Sequence, residues 1–352
     1  MKKEAISFLE KLTRTPSPSG FEQPVQKIIR ESLQGHVESL ESDIHGNLIA
    51  CKNSKGKPRV MISGHCDEIG FMITHISNEG FIHFAPIGGI DAGLLSGLRV
   101  KIHTEKGPVL GVVGKKPIHH MTADDLKKKP DWKSFWIDIG AKDGKQAKKV
   151  VETGDPITYE ENFDMLLDNN VVSRGFDDKI GAFIVTETIR SVNEKKMNCS
   201  LYSVSTVQEE IGLRGARTSA FGIDPDIGIA VDIGFSSDHP EADKRAIGDI
   251  KLGKGPILYK GANINPVIGR MLIDIARKMK IPFQLAASPR ATGTDANAMQ
   301  INRKGVATAL ISIPTRYGHT PVEVLSMADT ENAIKLLIGF VESLPKSINL
   351  IP

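Results

Sequence analysis

Residues 200–232, SLYSVSTVQEEIGLRGARTSAFGIDPDIGIAVD, carry the pattern that decides the fold. Apolar spacing there predicts a strand over 200–207, a Gly-broken turn, a helix over 214–220 and a second strand over 226–232. Working outward, a helix is predicted over 178–192 on one side. On the other come a helix over 266–280, a strand over 306–313 and a last helix from about 329 to 344. The first 68 residues continue the theme, with helices over 2–13 and 22–34 and strands over 37–41, 47–51 and 59–63. Such alternation predicts an α/β fold whose largely parallel sheet is sandwiched by helices.

Between about 69 and 165 the texture changes. Short β-rich runs, FMITHI, LRVKIH and VLGVV, are broken by Gly and Pro, and no long helical period appears. The reading is an inserted all-β domain at 69–165, interrupting a discontinuous domain made of 1–68 and 166–352. A chain of 352 residues has length enough for two such units.

Composition excludes several classes. Lys plus Arg number 45 against 42 Asp plus Glu, and the basic residues are scattered, so nucleic acid is not an implied partner. No run reaches the 18 or so apolar residues of a membrane span, and MKKEAISFLEKL spaces its apolar residues as an amphipathic helix instead of a signal peptide. Cys51, Cys66 and Cys199 have neither CxxC spacing nor an even count, which points to a reducing cytoplasm.

In an open α/β sheet, ligands bind beyond the carboxyl ends of the strands. Five apolar runs here lead into polar residues: RVMISG into His65 and Asp67, VVSRGF into Asp177 and Asp178, LYSVSTVQ into Glu209 and Glu210, DIGIAV into Asp232, and ALISIPTRYG into His319. Each has an ordinary explanation alone, as a turn acid, helix cap or loop histidine. Together, two imidazoles and several carboxylates form a donor set suited to two divalent ions, zinc first, with cobalt or manganese as alternatives. Asp67 is placed to accept the second N–H of His65. The adjacent Glu209 and Glu210 diverge, so that one can bind metal while the other serves a water as base.

The motifs SGHCDEIGFMI, GKKPIHH, SRGFDDKIGAF, VQEEIGLRGA, AVDIGF, LGKGP, GTDANAMQ and RYGHTPVE occur in this order over nearly the whole chain. On them the sequence resembles the two-metal glutamyl or deblocking aminopeptidases that assemble into tetrahedral shells. The resemblance implies that His65 and Asp232 bind one ion and His319 and Glu210 the other. It implies Asp177 as the bridge, with Asp178 as the alternative, Glu209 as general base and Asp67 behind the ligands. It implies peptide substrates with free amino termini, Thr294 and Asp295 at the substrate pocket, and a homo-oligomer, a tetrahedral dodecamer, built through the insert. Asp295 also suits a helix N-cap, and His119 and His120 suit either an interface or a neighbouring site. Lys179 and Gly318 depart from the family pattern, where arginine and a larger residue are common. Competing readings are a two-metal deacylase or carboxypeptidase and a glycan hydrolase; the last leaves the histidines unexplained.

Overall fold

Short turns and apolar runs set the order of the sheet. In the computed structural model, which describes residues 1–352, eleven strands form one mixed sheet and six more close a separate barrel. The central strands Ser200–Thr206, Arg59–His65, Ile227–Phe235 and Ala307–Arg316 lie side by side and parallel. Helices supply the crossovers that parallel neighbours require, Arg214–Ile223 between the first and third of these.

The flanks are antiparallel. Ser39–Ser42 and Leu48–Lys52 form a hairpin because Asp43 accepts the backbone N–H groups of His45, Gly46 and Asn47 and closes the turn. On the other side Glu323–Ser326, Asn170–Ser173 and Phe163–Met165 continue the sheet antiparallel. Two short strands that the periodicity does not pick out, Ile257–Gly261 and Gln284–Ser288, branch from Ala307–Arg316.

Helix Phe176–Ser191 is buried on nearly every side: Ile180, Phe183, Ile184, Val185 and Ile189 pack into the core, and Asp177, Asp178, Lys179, Thr186 and Thr188 are buried with them. Lys3–Arg14 and Gln23–Leu33 are amphipathic and bury Leu9, Leu12, Val25, Ile29 and Leu33. The barrel runs from Gly70 to Tyr159 and has its own core, in which Phe71 meets Phe84 and Tyr159 edge-on at 5.2 and 5.4 Å.

One close approach positions the rest. Gly64, one residue before the end of its strand, faces Gly181 in the buried helix. A Cβ on Gly64 would lie 2.2 Å from the Gly181 carbonyl carbon, and one on Gly181 would lie 2.2 Å from Asp178 Oδ2. Only the missing side chains let the start of this helix sit against the strand that ends in His65. Gly64→Ala is therefore expected to cost about 1–3 kcal/mol, read as a lower denaturation midpoint. An unchanged midpoint would mean that the helix can shift without loss.

Candidate metal centre

The strands that end in His65 and Thr206 are in register, so the segments leaving both emerge on the same rim. His319 follows Ala307–Arg316 on a turn in which Tyr317 and His319 itself have positive φ, 62° and 61°. Asp232 lies inside its strand, opposite Ser312, because the ladder with Ala307–Arg316 continues three residues further, to Phe235. Asp177 and Asp178 open the buried helix.

These elements bring His65, Asp177, Glu209, Glu210, Asp232 and His319 around one cavity of about 440 Å³. Asp177 lies between the two imidazoles, Oδ1 at 3.2 Å from His65 Nε2 and Oδ2 at 3.0 Å from His319 Nε2. Glu209 and Glu210 diverge, Glu209 to 3.7 Å from His65 Nε2 and Glu210 to 3.7 Å from His319 Nε2. Asp178 is turned inward instead: its carboxylate accepts the backbone N–H groups of His65 and Gly181 at 3.1 and 3.0 Å.

Behind the cavity, carboxylates hold main chain. Asp67 accepts the N–H groups of Glu209 and Glu210 at 3.0 and 3.2 Å and the Ser19 hydroxyl at 2.6 Å. The expected bond from His65 Nδ1 goes to the Asp67 carbonyl at 3.0 Å, with the carboxylate further off at 3.4 Å, because the backbone amides already orient that carboxylate. Glu22 accepts the N–H of Gln208 at 3.2 Å. Glu323 accepts those of Asp177 and His319 at 3.0 and 2.9 Å. His319 Nδ1 meets the carbonyl of Gly89, from the barrel side, at 2.7 Å, which fixes its tautomer.

Lys179 does not reach Asp177. It donates to Glu68 and to the Thr15 carbonyl at 2.8 and 2.7 Å, and Glu68 also pairs with Arg174. Burial opposes ionisation of Glu68, but Arg174 and Lys179 override it and hold the carboxyl at about 2.

Thr294 lines the cavity, whereas Asp295 is buried beside it and accepts the Thr206 hydroxyl at 2.7 Å. The N-cap of the following helix is Thr294, with Asp295 its first residue. His119 and His120 sit on a single exposed helical turn of the barrel.

Crowding dominates the electrostatics. Burial and neighbouring acids push Glu209 up to about 10, and burial with Asp177 pushes Glu210 and Asp232 to about 8. Burial works against Asp177 as well, but the two imidazoles hold it well below the carboxylate range. In return Asp177 raises His319 to about 10. No lysine or arginine lines the cavity. The donors of His65, Asp177 and Glu210 converge within 4.8 Å of one another, as do those of His65, Asp178 and Asp232, and Glu210 Oε1 is buried without a partner. Nitrogen and oxygen donors so arranged, with excess acid and no cationic side chain, suit divalent cations.

Comparison with known proteins agrees with this chemistry. A lysyl aminopeptidase of Pyrococcus furiosus is 38% identical over 96% of both chains. The structure of a TET aminopeptidase from a marine-sediment thaumarchaeon superposes with a TM-score of 0.93 at 34% identity, over 97% of this chain and 96% of that one. A TET1 peptidase of Pyrococcus horikoshii, described as assembling into a tetrahedron or a large octahedral shell, superposes at 0.87 with 32% identity, over 97% and 100%. The sequence model of the M42 glutamyl aminopeptidases matches residues 46–336, and the chain belongs to that metal-dependent peptidase family.

Proposed function

We propose that the chain removes single residues from the free amino termini of peptides, using two divalent ions and Glu209 as general base. The observation that carries this reading is the place of Asp177 between His65 and His319, with one of the paired glutamates beside each imidazole. In this reading His65 and Asp232 would hold one ion and His319 and Glu210 the other, with Asp177 a ligand available to both. Asp178 keeps the main chain in place, since the amides of His65 and Gly181 engage its carboxylate.

Bound in pairs, such ions polarise a scissile carbonyl and acidify a water. The residues of the chain do the rest. Glu209 accepts the proton of the attacking water and delivers it to the departing amine. Asp67 keeps Glu209 and Glu210 apart by holding both of their amides. The Gly89 carbonyl holds the proton of His319 on Nδ1, leaving Nε2 as a donor atom for metal. Zinc suits the ligand set, with cobalt or manganese as substitutes. Thr294 is assigned to the substrate pocket and Asp295 to its support. The barrel is assigned to contacts between copies, consistent with the shells described for the Pyrococcus horikoshii TET1 peptidase. The three buried free thiols suit a reducing cytoplasm.

Glu209→Gln is expected to retain both metals and lose about 10²- to 10⁴-fold in kcat; wild-type turnover would remove Glu209 from the reaction. Asp177→Asn should lower metal content at both sites by elemental analysis, while Asp178→Asn should keep two ions and lose thermal stability. The opposite pattern would make Asp178 the bridge. In metal-stripped protein, Glu210 and Asp232, held near 8, are mostly protonated at pH 7, and His319, near 10, is charged. Metal uptake must therefore release protons, and affinity should rise with pH. Calorimetry in buffers of different ionisation enthalpy reads that release directly, and a value of zero contradicts it.

A further inference from the structure

We propose that this site selects uncharged, apolar side chains at the amino-terminal residue of its substrate, an inference that rests on the aminopeptidase reading. Apart from the six residues of the metal centre, the cavity walls include Leu213, Ile233, Phe235, Thr292 and Thr294, with glycines between them. None carries a charge. Phe235 is 59% exposed, a large ring presented at the cavity instead of packed into the core.

Gly318 shapes this wall. A Cβ there would come within 2.8 Å of Ile233 Cδ1 and 3.0 Å of Phe235 Cε1. The missing side chain lets Ile233 and Phe235 stand back against the His319 turn. That leaves room at the cavity for a side chain of the substrate. The nearby charges do not serve the cavity: Asp238 and Arg316 bind each other through two hydrogen bonds of 3.0 and 2.7 Å. An alkyl or aryl group lying against Leu213, Ile233 and Phe235 would gain contact, whereas a substrate ammonium or carboxylate there would meet no charged wall residue outside the metal centre itself.

The test is a panel of aminoacyl-p-nitroanilides bearing Ala, Leu, Met, Phe, Glu or Lys, assayed with the whole metal-loaded protein. Leu, Met or Phe is expected to exceed Glu and Lys in kcat/KM by at least about 10-fold. Phe235→Lys, at an exposed position, should raise the Glu-to-Leu ratio by about 10-fold with metal content unchanged. Gly318→Ala should push Ile233 and Phe235 inward and lower Phe and Leu relative to Ala. Turnover in which Glu or Lys matches the apolar residues, or a Phe235→Lys variant with an unaltered Glu-to-Leu ratio, overturns the inference alone. Absence of turnover on every member overturns the aminopeptidase reading and the inference with it.

Discussion

Asp177 is buried between two imidazoles, and a carboxylate in that position stays ionised only because positive charge surrounds it. The same burial drives Glu209, Glu210 and Asp232 toward their neutral forms. The cavity is thus a set of acids held closer than they could be if all were ionised. Such a cluster persists because a rigid frame determines it, and the frame is the parallel centre of the sheet with the glycine contact that seats the buried helix on it.

The frame has a consistent device. Glu22, Asp67, Asp178 and Glu323 direct carboxylate oxygens at backbone amides of the segments that carry the cavity residues. A carboxylate accepting amide hydrogen bonds fixes where the next side chain begins, and two amides on one acid fix the spacing of two side chains. Asp67 does this for the adjacent glutamates, and Glu323 does it for Asp177 and His319, which lie far apart in sequence. The Glu68 pairs with Arg174 and Lys179 tie the segment that leads to Asp177 to the strand end at His65.

Much of the fold was legible because long helices and central strands leave strong periods. The predicted helix over 266–280 and strand over 306–313 meet observed elements at Pro266–Lys278 and Ala307–Arg316. Ile257–Gly261, Gln284–Ser288 and Glu323–Ser326 were not legible, since four or five residues with half-exposed or uniformly buried patterns carry no distinct alternation. The antiparallel flanks were hidden for a related reason: periodicity reports a strand but not the direction of its neighbour. At the cavity, acids and histidines after apolar runs were visible; His65, Asp177, Glu209, Glu210, Asp232 and His319 line it, whereas Asp67 and Asp178 turn to backbone amides. Glu323 ends the RYGHTPVE motif with no signal of its own. Its position inside a buried strand resembles a packing position, and its partners are amides that no side-chain pattern encodes. Gly89 is similarly silent, since what it contributes is a carbonyl.

That carbonyl has an evolutionary consequence. The barrel bonds His319 through a main-chain oxygen, an atom that every residue type possesses. Substitutions across the barrel surface can therefore accumulate while the imidazole keeps its orientation. What drift cannot alter freely is the path of the chain at residues 88 and 89. At Gly88 the room for a side chain is closed by Ile69 and Glu210 and φ is +79°, whereas a Cβ on Gly89 would only touch the His319 ring. The insert is thus free to vary in sequence and constrained in trace at the one point where it holds the imidazole.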